Sequence, residues 1–214
     1  MFKRRSKPVA STSGSTGRRA GQSAREKQRE LASAAPIRTW LARLLNIPTN
    51  ERAWRIGAEG EELVGASLDP LRSHGWYVEH DVRIGARGAN VDHLVIGPPG
   101  VIAINTKAVS GAVTVAGPNL YVNGFPTDFI EKQECEAQRV RSCLIEATRR
   151  RSLWVQGLLV FVRERPVIKA TPRHVGILHI SELLPVLQAL PSKLEAREVA
   201  ELVRAAQRNE TWRQ

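Results

Sequence analysis

Two β-rich runs, Val91 to Ile96 and Val101 to Lys107, are joined by Gly97-Pro98-Pro99-Gly100, a strong turn signal between two strands. A turn centred on the two prolines places Asp92 directly across from Asn105 and Leu94 across from Ala103. Opposed residues share a face, and Lys107, two residues beyond Asn105, projects from that same face. A carboxylate, an amide and an amine therefore converge at the open end of one hairpin. The grouping depends on register, because a slip of one residue sends Asp92 to the other face. A fourth polar group comes from the helix expected to start at Gly57. Glu61 lies three residues before Val64 and seven before Leu68, on the apolar stripe, while Glu62 falls in line with Ala58, Gly65, Ala66 and Asp69. Glu61 is expected to point inward and Glu62 outward. A carboxylate on an apolar face is costly unless a cation or a bound metal pairs with it. The bland alternative, a glutamate favoured by the positive end of the helix dipole, fits Glu59 better than Glu61.

Three stretches together resemble the nuclease-related domain (NERD) family, which is similar to the PD-(D/E)XK restriction-endonuclease-like superfamily. They are Gly57-Ala58-Glu59-Gly60-Glu61-Glu62-Leu63-Val64, Val91-Asp92-His93-Leu94-Val95-Ile96 and Gly100-Val101-Ile102-Ala103-Ile104-Asn105-Thr106-Lys107. Gln138, in Glu136-Ala137-Gln138-Arg139, resembles the family's helix glutamine. The resemblance implies a nuclease in which Asp92, Glu61 and the residue at position 105 hold Mg²⁺ or Mn²⁺, and Lys107 positions or activates the water that attacks a phosphodiester. It also implies a nucleic-acid partner, DNA first. The sequence departs from the motif at Asn105, where an acid would stand. An amide oxygen still ligates a hard cation but adds no charge, which weakens metal binding; it also removes one charge that would keep Lys107 protonated. The alternative reading is therefore a nucleic-acid-binding module that keeps the nuclease fold without its catalysis. A third is an interaction protein whose amino-terminal region binds another partner.

Other chemistry finds little footing. His93 alternates to the face opposite Asp92 and reads as a core histidine. No role follows for His74, His80, His174 or His179. Arg149-Arg150-Arg151 closes a helix, where the dipole favours cations as much as a phosphate would. No Gly-x-Ser-x-Gly or phosphate-binding glycine loop occurs. Cys135 and Cys143, eight apart on one expected helix, stand ~12 Å apart, too far for a disulfide.

The elements that must position these residues read as a helix from Gly57 to about Asp69 and a strand over Trp76 to Ile84, followed by the two hairpin strands. Small strands are expected at Val113 to Val115 and Tyr121 to Val122, with Asn123-Gly124 as a turn. A long helix over Asp128 to Thr148 and a buried strand over Leu153 to Val162 come next. A strand over His174 to Ile180, a helix from Glu182 capped by Ser181 and a last helix over Lys193 to Arg208 complete the reading. The fold class is α/β: a restriction-endonuclease-like mixed sheet with an αβββαβ core flanked by helices and a disordered basic N-terminal arm.

The net charge of +11 is uneven. Residues 1–55 carry 13 Lys/Arg against 3 Asp/Glu, whereas residues 56–214 carry 19 against 18. The arm is thus a basic tail suited to a polyanion or simply to solvation, and the remainder is nearly neutral. The organisation follows: 1–35 as the arm, 36–55 as an amphipathic helix through Ile37, Trp40, Leu41, Leu44 and Leu45 plus a linker, 56–165 as the nuclease-like domain, and 166–214 completing it. No run reaches the ~18 residues that span a bilayer, and the basic start has no apolar signal core, so a cytoplasmic protein is expected.

Overall fold

The computed structural model describes residues 22, 25, 50–85 and 89–213. The disordered arm expected at 1–35 (apart from Gln22 and Arg25) and the amphipathic helix expected within 36–55 (before residue 50) lie outside the described residues.

Helix α1 (Asn50–Leu68) buries Ala58, Val64 and Leu68 along one stripe. Pro70 sits at the start of the 3₁₀ helix Asp69–His74 that follows, and Gly75 closes it in the left-handed conformation at φ 78°. Strands β1 (Tyr77–Ile84), β2 (Ala89–Gly97) and β3 (Gly100–Lys107) form an antiparallel meander. Beyond it lie β4 (Val113–Ala116), β5 (Asn119–Val122), β6 (Phe125–Thr127), α2 (Phe129–Thr148) and β7 (Val155–Phe161). The chain ends through β8 (Val167–Ala170), β9 (Val175–His179), α3 (Ile180–Ala189) and α4 (Ala196–Ala206).

The main sheet has the order β1-β2-β3-β7-β9, with β3, β7 and β9 parallel. Helices cover both its faces, as the parallel part requires. On one face, Ile102, Ile104, Leu158 and Val160 pack with Val64 and Leu68 of α1 and Leu183 and Leu187 of α3. On the other, Leu94, Ile96 and Ala103 pack with Val140 and Leu144 of α2 and Leu202 of α4. The expected αβββαβ order is present, and the tail belongs to the same body, since β9 pairs with β7 and both last helices enter its core. No helix among the described residues is long and apolar enough to cross a membrane.

A second sheet, β6-β5-β4-β8, goes beyond the small strands expected from sequence. Asn123 and Gly124 make its tight turn at φ 52° and 81°, as expected of that pair. Strand β8 carries no burial alternation because all four of its residues are exposed, so no period announced it. Three helix starts also differ, the first being α1, which begins at Asn50 rather than Gly57, so that residues 50–55 of the expected linker are helical. His179, not Ser181, caps α3: its ring accepts from the Ser181 N–H while Glu182 accepts from the His179 N–H. The last helix spans Ala196–Ala206 rather than Lys193 to Arg208, because Glu195 and Glu198 form its capping box.

Candidate active site at the open end of the hairpin

The register expected from the two prolines is the one observed: Leu94 faces Ala103 and Gly97 faces Gly100. The β2–β3 ladder runs only as far as His93 and Ile104, although β1–β2 pairing continues to Ala89. Beyond Ile104 the Asp92 side chain takes over, and its Oδ2 accepts the Thr106 N–H at 2.7 Å. A carboxylate thus stands where a strand carbonyl would otherwise accept. Across from it on β1, Asp81 is buried in the left-handed conformation at φ 55° and accepts from Asn90 at 2.9 Å. Such a backbone is uncommon for an aspartate inside a strand.

On the α2 side of β3, Asn105 bridges two charged groups. Its Oδ1 accepts from Lys107 Nζ and its Nδ2 donates to Glu136 Oε2 at 3.0 Å. The reverse amide orientation would set NH₂ against an ammonium and oxygen against a carboxylate, so the two neighbours fix the flip. Lys107 Nζ also lies 5.0 Å from the centroid of the Phe129 ring, which favours the cation electrostatically. Burial pushes the Asp92 carboxyl up to about 6; the Lys107 ammonium and the Thr106 amide pull it down, while Glu136 and Asp81 add to the rise. Glu136 is also raised, by burial first, against the Asn105 hydrogen bond and the Lys107 charge.

Asp92, Asn105 and Lys107 therefore come together with Glu136. Glu61 arrives from the other side: α1 packs on the face opposite α2, and a Cβ on Gly60 would lie 3.1 Å from Ala108, which follows Lys107. Glu61 follows Gly60 on α1 and is half-buried. Glu62 is half-buried rather than simply outward, and Arg25 donates to both its carboxylate oxygens. Gln138 is exposed; two residues after Glu136, it stands ~200° away around α2. The buried glutamine of that helix is Gln133, whose Nε2 donates to the Ala103 carbonyl at 2.6 Å. His93 is fully buried on the face expected of it.

Sequence reasoning missed Glu136 and Asp81. The signal for Glu136 was the α2 stripe itself, since Gln133, Ala137, Val140 and Leu144 are its buried positions and Glu136 follows Gln133 by three. Nothing in the sequence announced the left-handed Asp81. Beside the site, Arg55, Glu59, Gly60, Ala108, Val162 and Arg163 border a cavity of about 300 Å³ between α1 and the ends of β3 and β7. It lies outside the carboxyl ends of parallel strands, where open α/β sheets take their ligands.

The donor atoms at the hairpin end are all oxygens, as Mg²⁺ or Mn²⁺ prefers, and two carboxylates, Asp92 and Glu136, meet the protein share that Mg²⁺ commonly takes. They fit such an ion as a sparse set. Among the described residues no three His, Cys, Asp or Glu side chains form a metal-holding group.

A mixed sheet that opens at its central hairpin over a carboxylate, an amide and a lysine, with helices on both faces, has the layout of the restriction-endonuclease-like class. The sequence matches the nuclease-related domain (NERD) family over residues 56–162, half of the chain, and the protein belongs to that family. No curated protein and no solved structure matches the chain.

Proposed function

We propose that the protein hydrolyses phosphodiester bonds in DNA with one Mg²⁺ or Mn²⁺ at the open end of the β2–β3 hairpin. Asp92, Asn105 and Glu136 would hold the ion from the sheet and α2, with Glu61 approaching across the end of β3. The ion would act as a Lewis acid on the phosphoryl oxygen. Lys107 would hold the attacking water or meet the developing negative charge, and Arg55 and Arg163 would face the flanking phosphates. The observation that carries this reading is the Asn105 bridge. It holds Lys107 and Glu136 together and restores through α2 the negative charge that position 105 lacks. Gln138, exposed and turned from Glu136, would contact substrate rather than the reacting atoms. A cytoplasmic location belongs to the same reading.

A second reading has its own support. With Asn105 Oδ1 already engaged by Lys107 and no metal-holding group of three His, Cys, Asp or Glu among the described residues, the site would bind nucleic acid without cutting it. Supercoiled plasmid and single-stranded DNA incubated with purified protein in Mg²⁺ or Mn²⁺ separate the two. Cleavage by wild type that Lys107→Ala abolishes supports the enzyme; cleavage by Asn105→Glu alone makes the natural role binding. No cleavage by any of the three at any metal concentration removes the enzymatic reading.

A further inference from the structure

A chain of side-chain contacts runs beneath the site from the surface. Asp69 Oδ1, on a half-exposed side chain, is 3.2 Å from His80 Nε2. His80 Nδ1 is 2.9 Å from His93 Nδ1, and His93 Nε2 is 3.3 Å from Thr106 Oγ1. His80 is 8% exposed and His93 0%, so water does not satisfy these ring nitrogens. The two rings meet edge to face, with centroids 5.0 Å apart.

With both rings neutral, one proton arrangement satisfies every contact. A carboxylate only accepts, so His80 must present Nε2–H to Asp69, which leaves its Nδ1 bare. His93 must then carry its proton on Nδ1, to fill the gap between the two Nδ1 atoms. Its Nε2 is therefore an acceptor, and the Thr106 hydroxyl donates to it. The chain points one way, from Thr106 to Asp69.

Thr106 occupies the place where the β2–β3 ladder has stopped. Two consecutive β2 residues grip it instead: Asp92 accepts its N–H, and His93 accepts its hydroxyl on the opposite side. Thr106 also lies between Asn105 and Lys107 in sequence, so its orientation sets theirs. On its other edge β3 stays paired with β7 as far as Lys107, with Thr106 opposite Val160, so the two side-chain links hold the one edge of Thr106 that the β2 ladder no longer reaches, and that edge loosens when either is lost.

We infer that Asp69, His80 and His93 form a positioning chain which, through the Thr106 hydroxyl, fixes the end of β3 so that Asp92, Asn105 and Lys107 keep their mutual geometry. The inference rests on the proposed function for its catalytic consequence, but its structural content stands apart from that function. None of these four residues touches the reacting atoms; each acts through Thr106.

The test uses the full chain. Imidazole ¹⁵N spectra at neutral pH should give the Nε2–H tautomer for His80 and the Nδ1–H tautomer for His93; an Nε2–H tautomer for His93 overturns the inference. Amide exchange at position 106 should speed at least ~10-fold in Thr106→Val, which is isosteric, and in His93→Leu, with Ile104 unchanged. Thr106→Ser and His93→Gln keep a group that meets the same partner and should stay near wild type. Equal exchange in all four variants overturns the inference, whatever the catalytic result. In turnover, Thr106→Val should lower kcat ~10-fold or more at unchanged KM, while Thr106→Ser should not. If no form of the protein cleaves DNA but the tautomers and exchange rates are as expected, the proposed function falls and the positioning chain stands. If wild type cleaves and the Thr106→Val protein matches it in both kcat and exchange, the chain falls and the function stands.

Discussion

Around the end of β3, Asn105 and Lys107 turn toward α2, while Thr106 between them turns toward α1 and the buried histidines. The α2 side is half-buried and charged: an ammonium, a bridging amide and carboxylates whose pKa values burial has raised. On the α1 side, burial pushes His93 down to about 3. The same three residues of backbone thus serve opposite ends. One face keeps charges close enough to act on a ligand, at the cost of mutual repulsion between carboxylates. The other supplies rigidity through buried rings linked to one another and to Thr106. Alternation along a strand makes this division possible, since neighbours on opposite faces share one backbone and little environment.

The contrast breaks most sharply at Lys107. Lys107→Ala removes the ammonium that Asn105 Oδ1 accepts from, and single-turnover cleavage is expected to fall by ~10³-fold, about 4 kcal/mol of transition-state stabilisation. Because the residue is half-buried, the folded state should survive, and unchanged circular dichroism checks that. Glu136→Gln comes next. It keeps the shape beside Asn105 but loses the charge that α2 supplies, so cleavage should fall ~10²-fold and recover in part at raised Mn²⁺. A loss no larger than twofold would return the ligand role to Glu61.

Acid stability sharpens the comparison, because the two faces respond to pH with opposite sign. His93 is held neutral to about 3 against an ordinary value of 6.5, so between those limits the unfolded chain binds more protons than the folded one. Its contribution is lost as pH falls, by up to ~1.4 kcal/mol per pH unit. Asp92 is raised to about 6 from 3.8, so across that window the folded chain holds the extra proton and acidification favours folding. The two slopes oppose each other between about pH 6 and 4. Urea midpoints of metal-free Asp92→Asn should therefore fall more steeply with acid than those of wild type; a parallel fall would mean that Asp92 has an ordinary pKa.

How far the sequence disclosed this arrangement can be followed residue by residue. Two prolines flanked by glycines fix a tight turn, and period-two alternation carries Asp92, Asn105 and Lys107 to one place from that turn alone. The αβββαβ order was legible from the helical stripes of α1 and α2, the turn signals between strands and the nearly continuous apolar run of β7. Glu136 was legible only as a position beside the α2 stripe; that it meets Asn105 depends on how α2 lies over β3, with the close approach at Gly157, where a Cβ would stand 3.1 Å from Gln133 Cγ. Strand β8 was hidden by full exposure, and the histidine chain by distance in sequence: Asp69, His80, His93 and Thr106 come from four separate elements.

The smallest expected effect separates two glutamines on one helix. Gln138 sits in a sequence stretch that resembles the family's helix glutamine, yet its side chain is exposed and directed away from the Glu136 stripe. Gln133 lies on that stripe, is 1% exposed, and ties α2 to the middle of β3 through the Ala103 carbonyl. Gln133→Ala removes a buried donor and leaves that carbonyl without it, so stability should drop by ~1 to 3 kcal/mol and cleavage should suffer with the seating of α2. Gln138→Ala touches neither the cluster nor the core and should change stability by less than ~0.5 kcal/mol and kcat by less than twofold, with any effect confined to KM. Urea melts and steady-state cleavage on both variants decide the matter: a kcat loss in Gln138→Ala that matches Glu136→Gln would mean that α2 rotates to present its other face when substrate binds.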